Sequence, residues 1–578
     1  MERNKKLRYT SLGFVLPMEY NPIFYRYSKP NVRKTISGFS RDEIINLIVR
    51  LSNECVNKPA VNILGLLSHD NYWMNSVLLR IYDYIGCHSS KDRRYCACFN
   101  QTLLELLRYA LSINPYKENF KVCNKNKYAL EFSLVKVVAL LNEQIVNFKI
   151  YNSSISELMV TGIELNKDLN SVDYIDLYKE QLVLSFNFFS FLESNTKYAS
   201  LLQAFLAKYG IKNWRNYVVT ILGLVSDANF CTRILDFKHI KDEDGLINRN
   251  IVDLLSFPYT TTVDYKENVD YRFFRQYPII KMQDDIYIIY NIGFLLDKLY
   301  NSLYFDLKDI AKSIESQQKI NISSLITSEF IEKTIFDTFL QKCCSLSNYF
   351  YFTEAECIEQ YKPKSKELGT PDFLLQRKLG KEILLFECKD IRLKAELKEQ
   401  RDFSLLEREL KNKLMLKTYS NEKICPTPKR IGVGQLAGHI KNIREHDFRW
   451  GYDIKSDSIV YPVLVIANHK LMWNGLFDML NEWFVQSLNN EGILCSENNK
   501  PLIIMSPLCL IKHSKRFKKD GFEKYFEEYY NHSKIQTGTN VDYVNKGLTF
   551  DDFMDKYPYK LGDMFEIVQK EVLQKRDK

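Results

Sequence analysis

Thr370-Pro-Asp372-Phe-Leu-Leu-Gln-Arg-Lys-Leu-Gly380-Lys-Glu-Ile-Leu-Leu-Phe-Glu387-Cys-Lys389 decides the fold of this chain. Asp372–Arg377 and Glu382–Cys388 each read as a strand, and Lys378-Leu-Gly380 reads as the turn between them. Side chains alternate along a strand, so Glu387 and Lys389 project together while Cys388 points into the packing. If the two strands pair as a hairpin, Asp372 lies beside that face. Two carboxylates next to one ammonium make an acidic pocket for a hard divalent cation such as Mg²⁺ or Mn²⁺. Phosphodiester hydrolysis needs such parts: a metal on the phosphoryl oxygen and a cation on the developing charge. Glu-x-Lys alone is common, and Glu396-Leu-Lys398 is another example. Pro-Asp is rarer, because only Pro371 of the fifteen prolines precedes an aspartate.

Working outward, the C-terminal part alternates strands and helices as α/β domains do. Helix Ser328–Lys342 and strand Tyr349–Ile358 precede the hairpin. Helices Lys394–Leu416 and Gly434–Glu445 follow it, then strand Ile459–Ala467, helix Leu471–Leu488 and strand Leu502–Met505. A last helix covers Leu561–Gln574. Upstream, Tyr271–Arg275, Pro278–Met282 and Ile286–Tyr290 read as short strands, and Phe294–Lys312 as a helix. Residues before Asp253 read as helices: a capping box, Ser40-Arg-Asp-Glu43, opens one, and others cover Thr102–Ile113, Tyr128–Phe148, Tyr174–Leu192, Tyr198–Tyr209 and Trp214–Val225.

The Pro-Asp and Glu-x-Lys pair, with its order of elements, resembles the PD-(D/E)xK, or restriction-endonuclease-like, nuclease superfamily over roughly Ser324–Pro507. With the textures above, the chain reads as α+β multidomain: an all-α N-terminal half (1–253), a small strand-containing connector (254–320), a core that the resemblance implies is a nuclease with a mixed central sheet (321–510), and a basic C-terminal segment with helices (511–578). The resemblance implies metal ligation by Asp372, Glu387 and the Cys388 carbonyl, with Lys389 orienting the attacking water. It further implies a glutamate from the first helix, matched by Glu332 in Phe330-Ile-Glu-Lys-Thr-Ile335 better than by Glu329. Gln435 in Ile431-Gly-Val-Gly-Gln435 resembles the glutamine-bearing helix of several branches. The expected activity is Mg²⁺- or Mn²⁺-dependent cleavage of nucleic acid, DNA favoured over RNA, in an anti-phage or restriction-type role. The alternatives are an RNA or tRNA nuclease and a non-catalytic nucleic-acid-binding protein on the same fold.

Composition frames these readings. With 46% hydrophobic and 13% aromatic residues in 578, disordered and collagen-like classes are excluded. No run approaches the ~20 apolar residues of a membrane span, and no secretory signal is read at the start. The expected location is therefore the cytoplasm, with the thirteen cysteines reduced. Cys87, His88, Cys96 and Cys98 are a candidate zinc knuckle of poor spacing. The net charge of +9 permits nucleic-acid binding, and Lys512–Lys519 is a dense basic run. His439, His446 and His513 are assigned no catalysis. Tyr419 and Tyr452 are candidates to stack on bases, with packing the commoner fate. The helical half, without chemistry of its own, is expected to sense a trigger or bind a protein partner, or to support a homo-oligomer.

Overall fold

The structure is a computed structural model that describes residues 14–24, 27–56, 79–84, 93–113, 127–146, 174–225, 233–237, 247–283, 285–314, 320–360, 369–400, 402–420, 423–445, 452, 454–496, 498–533, 548–557 and 563–574. It is a mixed α/β fold. At its centre stands a five-stranded mixed sheet in the order Ile503–Met505, Ile459–Ile466, Glu382–Lys389, Phe373–Arg377, Tyr349–Thr353. The first three strands run parallel, and Phe373–Arg377 is antiparallel to both of its neighbours, so Tyr349–Thr353 runs the same way as the first three. The two eight-residue strands are near-continuous apolar runs, as burial on both faces demands.

Alternation along these strands divides the packing. Phe373, Leu375, Leu384, Phe386, Cys388, Val463 and Val465 belong to one core, which continues into helices Tyr174–Ser194, Ala199–Tyr209, Trp214–Val225, Phe336–Cys343, Pro507–Asp520 and Asp563–Gln574. Leu374, Ile383, Leu385, Leu464 and Ile466 face the other way, under helices Phe403–Leu414, Val433–Glu445 and Asn474–Asn490. A second sheet, ordered Arg233–Asp236, Ile286–Ile289, Ile279–Lys281, Ser256–Pro258, stands between the first core and the N-terminal helices. Its Ile279, Tyr287 and Ile289 enter the first core, while Ile280 and Ile288 pack with residues from Met18 to Leu141.

Several expectations are corrected. The N-terminal half is not all-α: Phe14–Pro17 pairs in parallel with Arg93–Cys96, and Arg233–Asp236 joins the second sheet. Tyr271–Arg275 is a 3₁₀ turn leading into helix Arg272–Gln276 rather than a strand. Asp270 and Tyr271 there both have positive φ, 48° and 57°. Strand Tyr349–Thr353 stops early because Thr353 and Glu356 form reciprocal hydrogen bonds that open helix Glu354–Gln360. The long helix after the hairpin breaks at Asp402, whose side chain accepts from the Ser404 and Leu405 N–H groups. Phe294–Lys312 likewise splits into Ile292–Asp297 and Leu303–Ser313. An antiparallel ribbon, Leu416–Ser420 with Lys423–Arg430, is additional to the expected elements. The Ser40–Glu43 capping box forms as read.

The basic run Lys512–Lys519 lies in helix Pro507–Asp520 and is half core. Lys512 and His513 are buried, and Lys512 bridges Asp176 at 2.5 Å and Asp555 at 3.0 Å. Burial raises the Asp551 and Glu180 carboxyls to about 7 and about 8, so this region is already crowded with acid. Replacing the buried Lys512 by methionine takes from the half-buried Asp176 and the exposed Asp555 their nearest cation and is expected to cost about 1–3 kcal/mol of stability, measured by denaturant unfolding. Cys87 and His88 of the knuckle, and His446, lie outside the described residues; Cys96 and Cys98 are buried. Among the described residues, no helix is long and apolar enough to cross a membrane.

Candidate active site

The hairpin register pairs Phe373 with Phe386, so Asp372 and Glu387 come next to each other at the strand ends. The Cys388 N–H donates to Asp372 Oδ2 at 2.7 Å. Lys389 Nζ lies 2.9 Å from Glu387 Oε2 and 3.4 Å from Asp372 Oδ2. One ammonium thus joins both carboxylates. Glu387 is fully enclosed (0% side-chain exposure), whereas Lys389 and Asp372 retain 13% and 16%, so the cluster opens to solvent on their side.

The backbone contributes as well. The Lys389 carbonyl accepts from the Ala467 N–H, on the side of the parallel neighbour. Within a strand the N–H and C=O of one residue point the same way, and successive residues alternate. The Cys388 carbonyl therefore turns with its N–H toward Asp372, beyond the end of the Phe373–Arg377 strand.

Electrostatics separates the two acids. Burial raises the Asp372 carboxyl, and the neighbouring Glu387 charge raises it further, against the pull of Lys389 and the Cys388 N–H. Burial acts on Glu387 too, but Lys389 and His439 outweigh it and hold that carboxyl below its ordinary range. Lys389 is also desolvated, yet Asp372 and Glu387 keep its ammonium protonated well above the usual lysine range.

Glu332 sits in a π-helical stretch, Leu325–Ile335, which packs in the core on the opposite face of the sheet. Its charge acts on Asp372 and Lys389, and burial lifts its own carboxyl against the pull of Lys389. Glu329 turns elsewhere, to Lys197 at 2.9 Å and the Tyr198 hydroxyl at 2.6 Å. Gln435 is bound locally: its Oε1 accepts from the Gly432 N–H at 2.9 Å, closing the first turn of helix Val433–Glu445.

The residue that sequence reasoning left out is His439, one turn beyond Gln435 on the same helix face. Its Nε2 lies 3.0 Å from Glu387 Oε1, and both side chains are buried. Glu387 is thus held by Lys389 on one oxygen and by His439 on the other. The i, i+4 spacing of Gln435 and His439 is the one signal that marked it. His439→Ala is expected to weaken metal-dependent activity about 10–100-fold, as losses of groups that orient a ligand do. A metal titration of cleavage rate in the variant checks this.

The donor set fits a hard cation. Asp372, Glu387 and the Cys388 carbonyl offer oxygens, Glu332 adds negative charge nearby, and Asp372 carries like-charge stress that a divalent ion would relieve. Among the described residues, no three His, Cys, Asp or Glu side chains form a ready-made cage. Two carboxylates and a carbonyl suit Mg²⁺, which keeps several of its waters. No protein-family model, curated protein or solved structure matches this chain.

Proposed function

We propose that this chain is a Mg²⁺- or Mn²⁺-dependent nuclease hydrolysing phosphodiester bonds, with DNA favoured. The observation that supports the reading is the Lys389 ammonium held between Asp372 and Glu387 at adjacent strand ends. Asp372, Glu387 and the Cys388 carbonyl would hold the ion, with Glu332 beside it. Bound there, the ion supplies Lewis acidity to the scissile phosphoryl group and a lowered pKa to water. Lys389 Nζ orients the attacking water and stabilises the charge that grows on the phosphoryl oxygens. His439 fixes Glu387 Oε1, and Gln435 shapes the start of the helix that carries His439.

The N-terminal helices have a physical route to this site. Helix Ala395–Gln400 begins six residues after Lys389, and its Glu399 meets Arg108 at 3.0 Å and the Asp270 N–H at 3.0 Å. Lys398 pairs with Asp270 at 3.3 Å and Glu396 with Arg272 at 2.9 Å. A trigger or protein partner on residues 14–146 would act through these contacts, in keeping with a cytoplasmic anti-phage or restriction-type effector. The test is a cleavage panel of linear and supercoiled DNA, single-stranded DNA and RNA, with Mg²⁺ or Mn²⁺. Metal-dependent products that vanish in Lys389→Ala support the reading. Binding without any product, unchanged by Asp372→Ala with Lys389→Ala, makes the chain a binding protein instead, and products from RNA alone move the substrate class.

A further inference from the structure

The ribbon Leu416–Ser420 and Lys423–Arg430 stands apart from both large sheets. From within the chain, helix Phe403–Leu414, which packs on it through Asn412, supports the ribbon. Its pairing puts Lys417 directly opposite Lys429, and Tyr419 directly opposite Ile424. The register shifts between these two pairs, the extra residues bulging from Lys423–Arg430, so the ribbon presents two facing lysines nearer its base and an aromatic–aliphatic pair nearer its tip. Ile424 is 77% exposed, and the Arg408 guanidinium lies 5.9 Å from the Tyr419 ring. Like charges directly opposite each other destabilise a ribbon, and among the described residues neither lysine pairs with a carboxylate.

The base of the ribbon is fixed to the catalytic layer. Gly432, at φ +53°, lets the Leu414 carbonyl come so close that a Cβ would stand 2.6 Å from it, and Gly434 gives similar room to the Met415 carbonyl. Both glycines flank the start of helix Val433–Glu445, which carries His439. Asn412 pins the other side by accepting from the Thr418 and Tyr419 N–H groups.

We propose that this ribbon is the element by which the chain grips duplex DNA, with Lys417 and Lys429 on phosphates and Tyr419 and Ile424 against the bases. The proposal rests on the nuclease reading for its purpose, but its binding test is separate. A two-stranded ribbon fits the major groove of B-DNA, whereas the deep, narrow major groove of A-form RNA excludes it. A second copy adding a strand at this edge is disfavoured, because Pro426 and Pro428 lack N–H donors.

The experiment measures duplex binding by fluorescence anisotropy across a salt series, using the full chain with Lys389→Ala so that the DNA stays intact. Adding Lys417→Ala and Lys429→Ala should weaken binding roughly 60-fold near 0.1 M salt. The slope of log affinity against log salt should flatten by about 1.8, the effect of two lost phosphate contacts. Tyr419→Ala with Ile424→Ala should weaken binding and leave the slope unchanged. Lys429→Gln alone, at an exposed position, should flatten the slope by about 0.9 and covers the case in which the double variant fails to fold. Unchanged affinity and slope in the folded lysine variants overturn the proposal. So do equal losses on duplex RNA, or a change in oligomeric mass on sedimentation in place of lost DNA affinity. If the unmodified chain cuts no nucleic acid yet the lysine variants lose duplex binding, the nuclease reading fails and the ribbon stands. If the unmodified chain cuts DNA while binding is unaltered in the lysine variants, the nuclease reading stands and the ribbon fails.

Discussion

On the nuclease reading proposed above, Lys389→Ala is expected to abolish metal-dependent cleavage, by about 10³-fold or more, with the protein still folded. Removing a single preorganised donor to a developing oxyanion already costs about 10²–10³-fold. Lys389 also touches both proposed ligands, at 2.9 and 3.4 Å, so its loss disorders them as well. Lys389→Arg is expected to rescue little, because a planar fork cannot take the place of a compact ammonium between two carboxylates. The check is conversion of supercoiled to nicked and linear DNA at matched protein, with near-ultraviolet circular dichroism to verify folding. Activity within tenfold of the unmodified chain would remove Lys389 from the chemistry.

The second large effect concerns stability without metal. Burial and Glu387 push the folded Asp372 carboxyl up to about 8, from an ordinary value near 4. A raised carboxyl favours folding below the unfolded value and loses that contribution as pH rises toward the folded one. Metal-free protein should therefore lose stability between about pH 4 and pH 8. Raising a carboxyl by one pH unit corresponds to about 1.4 kcal/mol, so even half of this rise means about 3 kcal/mol. Asp372→Asn should flatten that dependence and be the more stable form at pH 8. Mg²⁺ should stabilise the unmodified chain at pH 8 and leave Asp372→Asn unmoved. Urea midpoints across pH, with chelator and with Mg²⁺, measure both. Identical pH dependence in the two proteins would mean that Asp372 is ionised at ordinary cost.

The readable parts of this chain were those governed by alternation. Leu374, Phe386 and their neighbours fix the hairpin because a one-residue slip would turn every side chain to the wrong face. Asp372 and Lys389 came together for the same reason. Local chemistry hid more. Thr353 and Glu356 form a capping box inside Tyr349–Ile358, a stretch whose aromatic start reads as one strand. Pro426 and Pro428 argue against the ribbon strand that in fact carries them. Gln435 caps its own helix, and the contact with Glu387 falls to His439; a long-range pair between a helix and a strand leaves no trace in the sequence beyond the i, i+4 spacing of Gln435 and His439. The Lys512 run reads as solvated charge, since its acidic partners Asp176 and Asp555 lie far away along the chain.

The core that joins Leu177 to Val572 has a consequence for synthesis. Helices Tyr174–Ser194 and Trp214–Val225 leave the ribosome before any strand of the central sheet exists. The ring of Tyr178 packs on Phe565, in helix Asp563–Gln574, the last among the described residues. At roughly 5–20 residues per second, the first of these surfaces waits tens of seconds for its final partner. Phe188 likewise waits for Tyr300 and Phe330 before its ring is covered. Expression at lower temperature, or with abundant holdase chaperones, should then raise the folded yield more than any change to the exposed surface, and truncation before Asp563 should send the nascent chain to aggregation.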